Sequence, residues 1–181
     1  IELNCDDRYV NLVEQGVDVA VRLGKLADST LGAAYLGLNP WVLAASPGYL
    51  KAHGRPRKPQ DLGRHEALIY STVQGDERWL LSGTDGRQIS VSVRGRLRSN
   101  NLSMLLAAAR QGFGIAALPR YVAHRSLTEG ALTSVLDDWA LPSQEVHAVF
   151  PSPRMVPAKV RLLITWLQSQ FGPDWWARPN D

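Results

Sequence analysis

Cysteine is nearly absent from this sequence: Cys5 is the one thiol in 181 residues, so no intrachain disulfide can form. That usage fits a reducing compartment. Long apolar runs are missing as well, and none approaches the ~20 residues that a membrane-spanning helix needs. The chain opens IELNCDDRY, without a basic segment followed by an apolar one, so no secretory leader is read there. The lack of an initiator methionine predicts a fragment of a longer protein. Charge of a single sign is also lacking. The 20 Lys and Arg stand against 17 Asp and Glu, and most cations are scattered among acids. A nucleic-acid surface needs a basic stripe that this pattern does not supply.

Catalytic signatures are missing in the same way. There is no G-x-S-x-G elbow, no P-loop and no HExxH. His53, His65, His124 and His147 are far apart and have no metal-ligand spacing with Cys or acidic partners. Asp137-Asp138 is an adjacent pair in an expected loop, not two carboxylates on a shared face. Cys5 lies beside Asp6 and Asp7, a poor setting for a thiolate nucleophile. No residue volunteers as nucleophile or base.

What remains is an ordinary globular composition, 45% hydrophobic and 20% charged, which is enough apolar material for one large or two small domains. Two local basic groups stand out. Arg55, Arg57 and Lys58 lie in a Pro-rich loop, and Arg94, Arg96 and Arg98 alternate along an expected strand, which predicts one shared face. A solvated face is favoured over an anion or DNA site for both.

Apolar periodicity predicts alternating strands and helices. Asp6 or Asp7 is expected to cap a helix with Tyr9, Leu12 and Val13 on its apolar side, ended by Gly16. Val17 to Leu23 (VDVAVRL) reads as a strand covered on both faces, with Arg22 and Gly24 at its carboxyl end. Lys25 to Asn39 reads as loop, and Trp41 to Ala45 as strand. Ser46-Pro47 caps a short helix through His53, and Glu66 to Ser71 contains the strand ALIY. Arg78 to Leu81 and Gln88 to Val93 flank an Asp85-Gly86 hairpin turn, expected to be the one antiparallel insertion. A helix from Pro119 to Leu127, strands at Leu132 to Leu136 and Val146 to Phe150, and a final amphipathic helix carrying Val160, Leu163, Ile164, Leu167 and Phe171 complete the chain. The Trp175-Trp176 tail is either docked or disordered.

The most informative stretch is RLRSNNLSMLLAAARQGFGIAALP, residues 96–119. It reads as strand, Asn-Asn turn, helix, and strand, with the two strands expected as parallel neighbours. Gly112, Gly114 and Ala117 imitate a GxGxxA dinucleotide fingerprint, but that motif needs its strand before and its helix after the glycines. Here the order is reversed, so the glycines are expected to end the helix, one in a left-handed C′ position. Asn100 and Asn101 fall at the carboxyl end of a strand and at a helix start, where free N–H groups attract anions. One Asn suffices to cap the helix, so capping and ligand contact both stand as readings.

Four collinear blocks then resemble one family. Residues 7–24 (DRYVNLVEQGVDVAVRLG), 41–62 (WVLAASPGYLKAHGRPRKPQDL), 96–119 and 146–167 (VHAVFPSPRMVPAKVRLLITWL) resemble the C-terminal regulatory domain of LysR-type transcriptional regulators. The resemblance implies an α/β, periplasmic-binding-protein-like fold of two subdomains joined by crossover strands, placed at Trp41 to Ala45 and Val146 to Phe150. Subdomain I would hold residues 1–43 plus 147–181, with its first strand and helix missing, and subdomain II residues 44–146. It implies a small-molecule effector in the cleft between them, at positions matching Arg22, Gly24, Tyr70, Ser71, Asn100 and Asn101. It also implies a cytoplasmic homodimer or higher homo-oligomer, pairing the 7–15 helix with a partner's 102–111 helix. No enzyme activity, cofactor, metal or membrane contact is implied, and DNA would be bound only through an absent N-terminal helix-turn-helix. A periplasmic solute-binding receptor and an enzyme on the same fold are the alternatives. A helix-turn-helix or a signal peptide upstream of Ile1 would separate them.

Overall fold

Two almost wholly apolar runs, Trp41–Ala45 and Ile115–Pro119, become strands buried along their whole length, as continuous apolar segments do when both faces of a sheet are covered. They lie at the centre of the larger of two units in a computed structural model that describes residues 1–5, 11–26, 30–71, 77–172 and 174–177. The first elements are β1 (Ala20–Leu23), β2 (Gly32–Asn39), β3 (Trp41–Ala45), α1 (Pro47–His53), a 3-10 turn (Pro59–Arg64) and β4 (Glu66–Tyr70). Next come β5 (Arg78–Gly83), β6 (Gln88–Ser92), β7 (Arg94–Ser99), α2 (Leu102–Arg110) and β8 (Ile115–Pro119). The chain continues with α3 (Arg120–Thr128), β9 (Thr133–Ser134), β10 (Trp139–Ala140), β11 (Gln144–Phe150) and α4 (Ala158–Gln170).

The units are Ile1–Leu38 with Gln144–Trp175, and Asn39–Ser143 with Trp176–Asp181. The boundaries thus fall at 38/39 and 143/144, where the sequence expectation stood at 43/44 and 146/147. In the first unit the sheet order is β1-β11-β2. β1 and β11 are antiparallel, from Ala20 opposite Val149 to Leu23 opposite Val146. α4 covers this sheet because its 3.6-residue stripe brings Val160 and Ile164 onto Leu36, Val146, Ala148 and Phe150. Each such side chain contributes about 1.5–3 kcal/mol when fully buried. The tail is docked: Trp175 Nε1 donates to the Leu38 carbonyl at 2.8 Å and its ring lies 4.7 Å from Phe171.

In the second unit a five-stranded sheet runs β7-β4-β8-β3-β9, and a three-stranded antiparallel sheet runs β10-β5-β6. β4 is parallel to both β7 and β8, whereas β3 is antiparallel to β8 and β9. Two expectations change here. The strands flanking α2 are not neighbours, because β4 inserts between them, and the Asp85-Gly86 hairpin is only one of several antiparallel pairings. Sequence order told which strands α2 connects but not which third strand fills the gap it leaves.

Other differences have local causes. β2 falls inside the expected loop of Lys25 to Asn39. Its sequence GAAYLGLN carries no β-branched residue, and pairing with β11 supplies what propensity does not. The VDVAVRL strand begins only at Ala20, and its Val21 and Leu23, on one face of β1, are 44% and 40% exposed, so that face is not covered among the described residues as the continuous apolar run predicts. The strand expected at Leu132 to Leu136 shortens to β9, and β10 interrupts the expected loop after it. Of the helix expected from Asp7, residues 6–10 lie outside the described residues. Residues 12–16 form hydrogen-bonded turns, with the Gln15 amide donating to the Asn11 carbonyl at 3.1 Å.

The arginine trio does not share a face. A bulge between Ala67 and Leu68 opposes Gly95 and Leu97, leaving Arg96 as the extra residue and turning Arg98 to the face opposite Arg94. Arg94 lies 3.7 Å from Glu66, Arg98 lies 3.5 Å from Glu77, and Arg96 sits 5.0 Å above the Phe113 ring. In the Pro-rich loop, Arg55 donates to the Ser134 carbonyl at 2.7 Å and pairs with Asp137 at 3.6 Å.

Candidate functional site

The parallel pairing of β4 and β7 places Tyr70 beside Ser99, so both carboxyl ends meet. The Ser71 amide donates to the Ser99 carbonyl at 3.0 Å, extending the ladder by one rung. The Ser99 hydroxyl accepts from the Asn101 amide at 3.0 Å, which bends the chain into the Asn-Asn turn. Asn101 is then the N-cap of α2: its Oδ1 accepts from the Met104 amide at 3.0 Å. The neighbouring Asn100 is exposed at the same turn. Tyr70 is buried, its ring tilted against Trp41 at 5.9 Å. Tyr70, Ser71, Asn100 and Asn101 are therefore brought together at one sheet end.

Arg22 and Gly24 stand together on the other unit. Arg22 is half-buried opposite His147, and the Gly24 amide donates to the Glu145 carbonyl at 2.8 Å. His147 packs edge-on to Tyr35 at 5.7 Å, and its Nε2 is 3.6 Å from Glu145. The sequence reading does not single out Ser99. The signal for Ser99 was present, since a Ser two residues before an N-cap Asn can accept from its amide.

The far end of α2 closes as expected. Gly112 takes φ +77°, its amide donates to Ala109 at 3.1 Å, and the Phe113 amide donates to Ala108 at 3.1 Å. These are the two bonds of a Schellman motif. Gly114 has a different reason: a Cβ there would press on the Glu66 carbonyl, 2.9 Å from its carbon. The glycine spacing that imitates a nucleotide loop is a helix stop followed by a close strand approach.

A polar cluster sits at the amino end of β4. The Tyr49 hydroxyl accepts from the Glu66 amide at 3.0 Å and lies 3.3 Å from His65 Nδ1. His53 stacks on the Tyr49 ring at 4.3 Å. Burial pushes the Tyr49 phenol up, and the direction of its hydrogen bond with His65 Nδ1 follows the imidazole tautomer. Burial, and then the nearby His53, hold His65 below the ordinary imidazole range. Among the described residues no group of His, Cys, Asp and Glu is placed to hold a metal ion, and no helix is long and apolar enough to cross a membrane.

Residues 1–172 match the LysR substrate binding domain. The chain belongs to the LysR substrate-binding domain family. An uncharacterized HTH-type transcriptional regulator of Haemophilus influenzae is 33% identical over 160 residues, covering 88% of this chain and 55% of that protein. The HTH-type transcriptional regulator PtxR of Pseudomonas aeruginosa is 33% identical over 172 residues, covering 95% and 55%. The chain thus spans about half the length of these curated relatives. Among solved structures, the full-length Vibrio cholerae virulence activator AphB superposes with a TM-score of 0.80 at 28% identity, over 94% of this chain and 58% of that one. The CrgA regulatory domain from Neisseria meningitidis gives 0.77 at 26% identity, over 92% and 81%. The fold is accordingly the periplasmic-binding-protein-like α/β fold of LysR-type regulatory domains. Both curated relatives are named as transcriptional regulators.

Proposed function

We propose that this LysR-type regulatory domain senses a small anionic effector held at the carboxyl ends of β4 and β7. The two units serve as the family's two subdomains. Tyr70, Ser71, Asn100 and Asn101 contribute from one, and Arg22 and Gly24 from the other, across the effector cleft that the family implies. One observation carries the reading. Asn101 alone caps α2, so the exposed Asn100 amide is left for a ligand at a helix start that favours negative charge. Arg22 adds a guanidinium suited to a carboxylate. Ligand binding acts by preferring one of the domain's conformations over another.

A thermal-shift screen of small organic acids tests this. A stabilising acid should raise the midpoint of the wild-type chain and lose that effect with Asn100→Ala and with Arg22→Gln. Equal stabilisation of all three proteins would remove both residues from the site.

The domain also assembles, in this reading, as a cytoplasmic homo-oligomer whose DNA contacts come from an N-terminal helix-turn-helix. Exposed apolar side chains on and after α2 support an isologous surface, since Met104 is 58% exposed and Phe113 46%. Light scattering should show a dimer that Met104→Glu converts to monomer. A wild-type chain that stays monomeric at high concentration would end this part of the proposal.

A further inference from the structure

Residues 51–64 carry five Lys and Arg (Lys51, Arg55, Arg57, Lys58 and Arg64) against one acid, Asp61. Their balance of +4 exceeds the formal +3 of the whole chain, so the basic character of the protein is concentrated in this one segment. As a sequence it is a Pro-rich loop, for which a solvated face is the simpler reading. Three features of the folded segment favour a partner.

The loop is held in one shape. Pro56, Pro59 and Leu62 are buried beneath it. The Asp61 carboxylate accepts from the Arg57 amide at 2.9 Å and from the Lys58 amide at 3.1 Å, and Arg55 is fastened to the Ser134 carbonyl and to Asp137. The remaining cations are not countered. Lys51, Arg57, Lys58 and Arg64 are exposed and make no ion pair among the described residues, and the adjacent Glu66 is faced by Arg94 at 3.7 Å. The surface also lacks an apolar anchor. Apart from these cations, the exposed residues of the segment are Ala52, His53, Gln60 and glycines, with Arg55 at the edge. Protein interfaces draw most of their energy from aromatic and other anchors set in pockets. A phosphate backbone is bound by Lys and Arg alone.

We infer that residues 51–64 form a surface that binds the phosphate backbone of duplex DNA without reading its sequence. Lys51, Arg57, Lys58 and Arg64 supply the contacts, and the cross-bonded loop presents them with little ordering left to do on binding. The inference rests on the reading of this domain as part of a DNA-bound regulator, adds a contact to the helix-turn-helix of that reading, and uses none of the effector residues.

The probe is a fluorescent duplex of roughly 20 base pairs and arbitrary sequence, followed by anisotropy as this chain is added. Measured on this chain alone, the signal is free of any helix-turn-helix, so the two readings fail separately. Between about 50 and 200 mM salt the affinity should fall about a hundredfold, since each neutralised phosphate contributes about −0.9 to the log–log slope. Arg57→Gln with Lys58→Gln changes exposed side chains and leaves their amide bonds to Asp61 in place, and it should make the slope shallower by about 2. Lys51→Gln with Arg64→Gln should do the same. Arg154→Gln with Lys159→Gln removes equal charge from the first unit and should leave the slope unchanged, as should Asn100→Ala and a different duplex sequence. The inference is overturned if anisotropy does not change up to about 300 μM chain at about 50 mM salt. It is also overturned if both double variants in the loop keep the wild-type slope, or if the first-unit pair lowers it equally. Competition by poly-glutamate as effective as that by unlabelled duplex would overturn it too, and would assign the surface to an acidic protein segment.

Discussion

Gly114→Ala isolates the reason for the second glycine of the apparent fingerprint. The added methyl group would meet the Glu66 carbonyl oxygen first, with the carbonyl carbon at 2.9 Å and the Glu66 Cβ at 3.2 Å. All are atoms of β4 or its backbone, and none is the loose end of a flexible side chain. Relief requires β8 to move from β4, where Ala67 pairs with Ile115 and Leu68 with Ala116. These four residues are almost completely buried, so any shift opens the core. Overpacking of this kind costs about 1–3 kcal/mol or more. With a urea slope of about 2 kcal/mol per M, the unfolding midpoint falls by about 0.5–1.5 M. Gly112→Ala is the internal comparison. It carries only the left-handed penalty at φ +77° and a tight but movable Ser46 Oγ at 3.3 Å, a cost of about 1–2 kcal/mol partly offset by a stiffer unfolded chain. Circular dichroism during urea titration of both variants is the assay. A Gly114→Ala loss below about 0.5 kcal/mol, or a smaller loss than at Gly112, would refute the close-approach argument.

Three further outcomes are expected. Asn101→Ala removes the α2 cap and should cost about 1 kcal/mol in thermal unfolding, whereas Asn101→Asp keeps most of it and Asn100→Ala changes little. Tyr49→Phe leaves the Glu66 amide without its acceptor and His65 Nδ1 without its hydrogen-bond partner, so a loss of about 1–3 kcal/mol should appear in urea midpoints. His65 gives a pH dependence of defined sign. Its folded pKa lies below the unfolded value of about 6.5, so between the two the unfolded chain binds more protons. Its contribution is therefore complete above about pH 6.5 and is lost as pH falls toward the folded pKa. Urea midpoints measured from neutral to mildly acid pH should fall, and His65→Gln should flatten that part of the curve. An unchanged slope in the variant would assign the acid sensitivity elsewhere.

Local chemistry was legible wherever one residue type answers one backbone demand. Ser46-Pro47 starts α1, with the Ser46 hydroxyl accepting from the Tyr49 amide at 3.2 Å, and Gly112 ends α2. Collinear blocks carried the family, and with it the fold, because each block holds both a core pattern and its stop signals. Propensity failed at β2, where alanines and glycines become a strand only because β11 lies beside them. It failed again at Arg94, Arg96 and Arg98, since a bulge is set by the partner strand's register and leaves no mark in the alternation.

The site divides along the same line. Sequence alone determined that Asn100 and Asn101 stand between a strand and a helix and that the nearby glycines do not have the order of elements a nucleotide loop needs. All of that follows from the order of neighbours along the chain. Only tertiary structure decided which asparagine is spent as a cap and that β4 brings Tyr70 and Ser71 beside Ser99. The second fact depends on contacts between residues about 30 positions apart, whose pairing is selected by the burial of whole faces and not by any local motif.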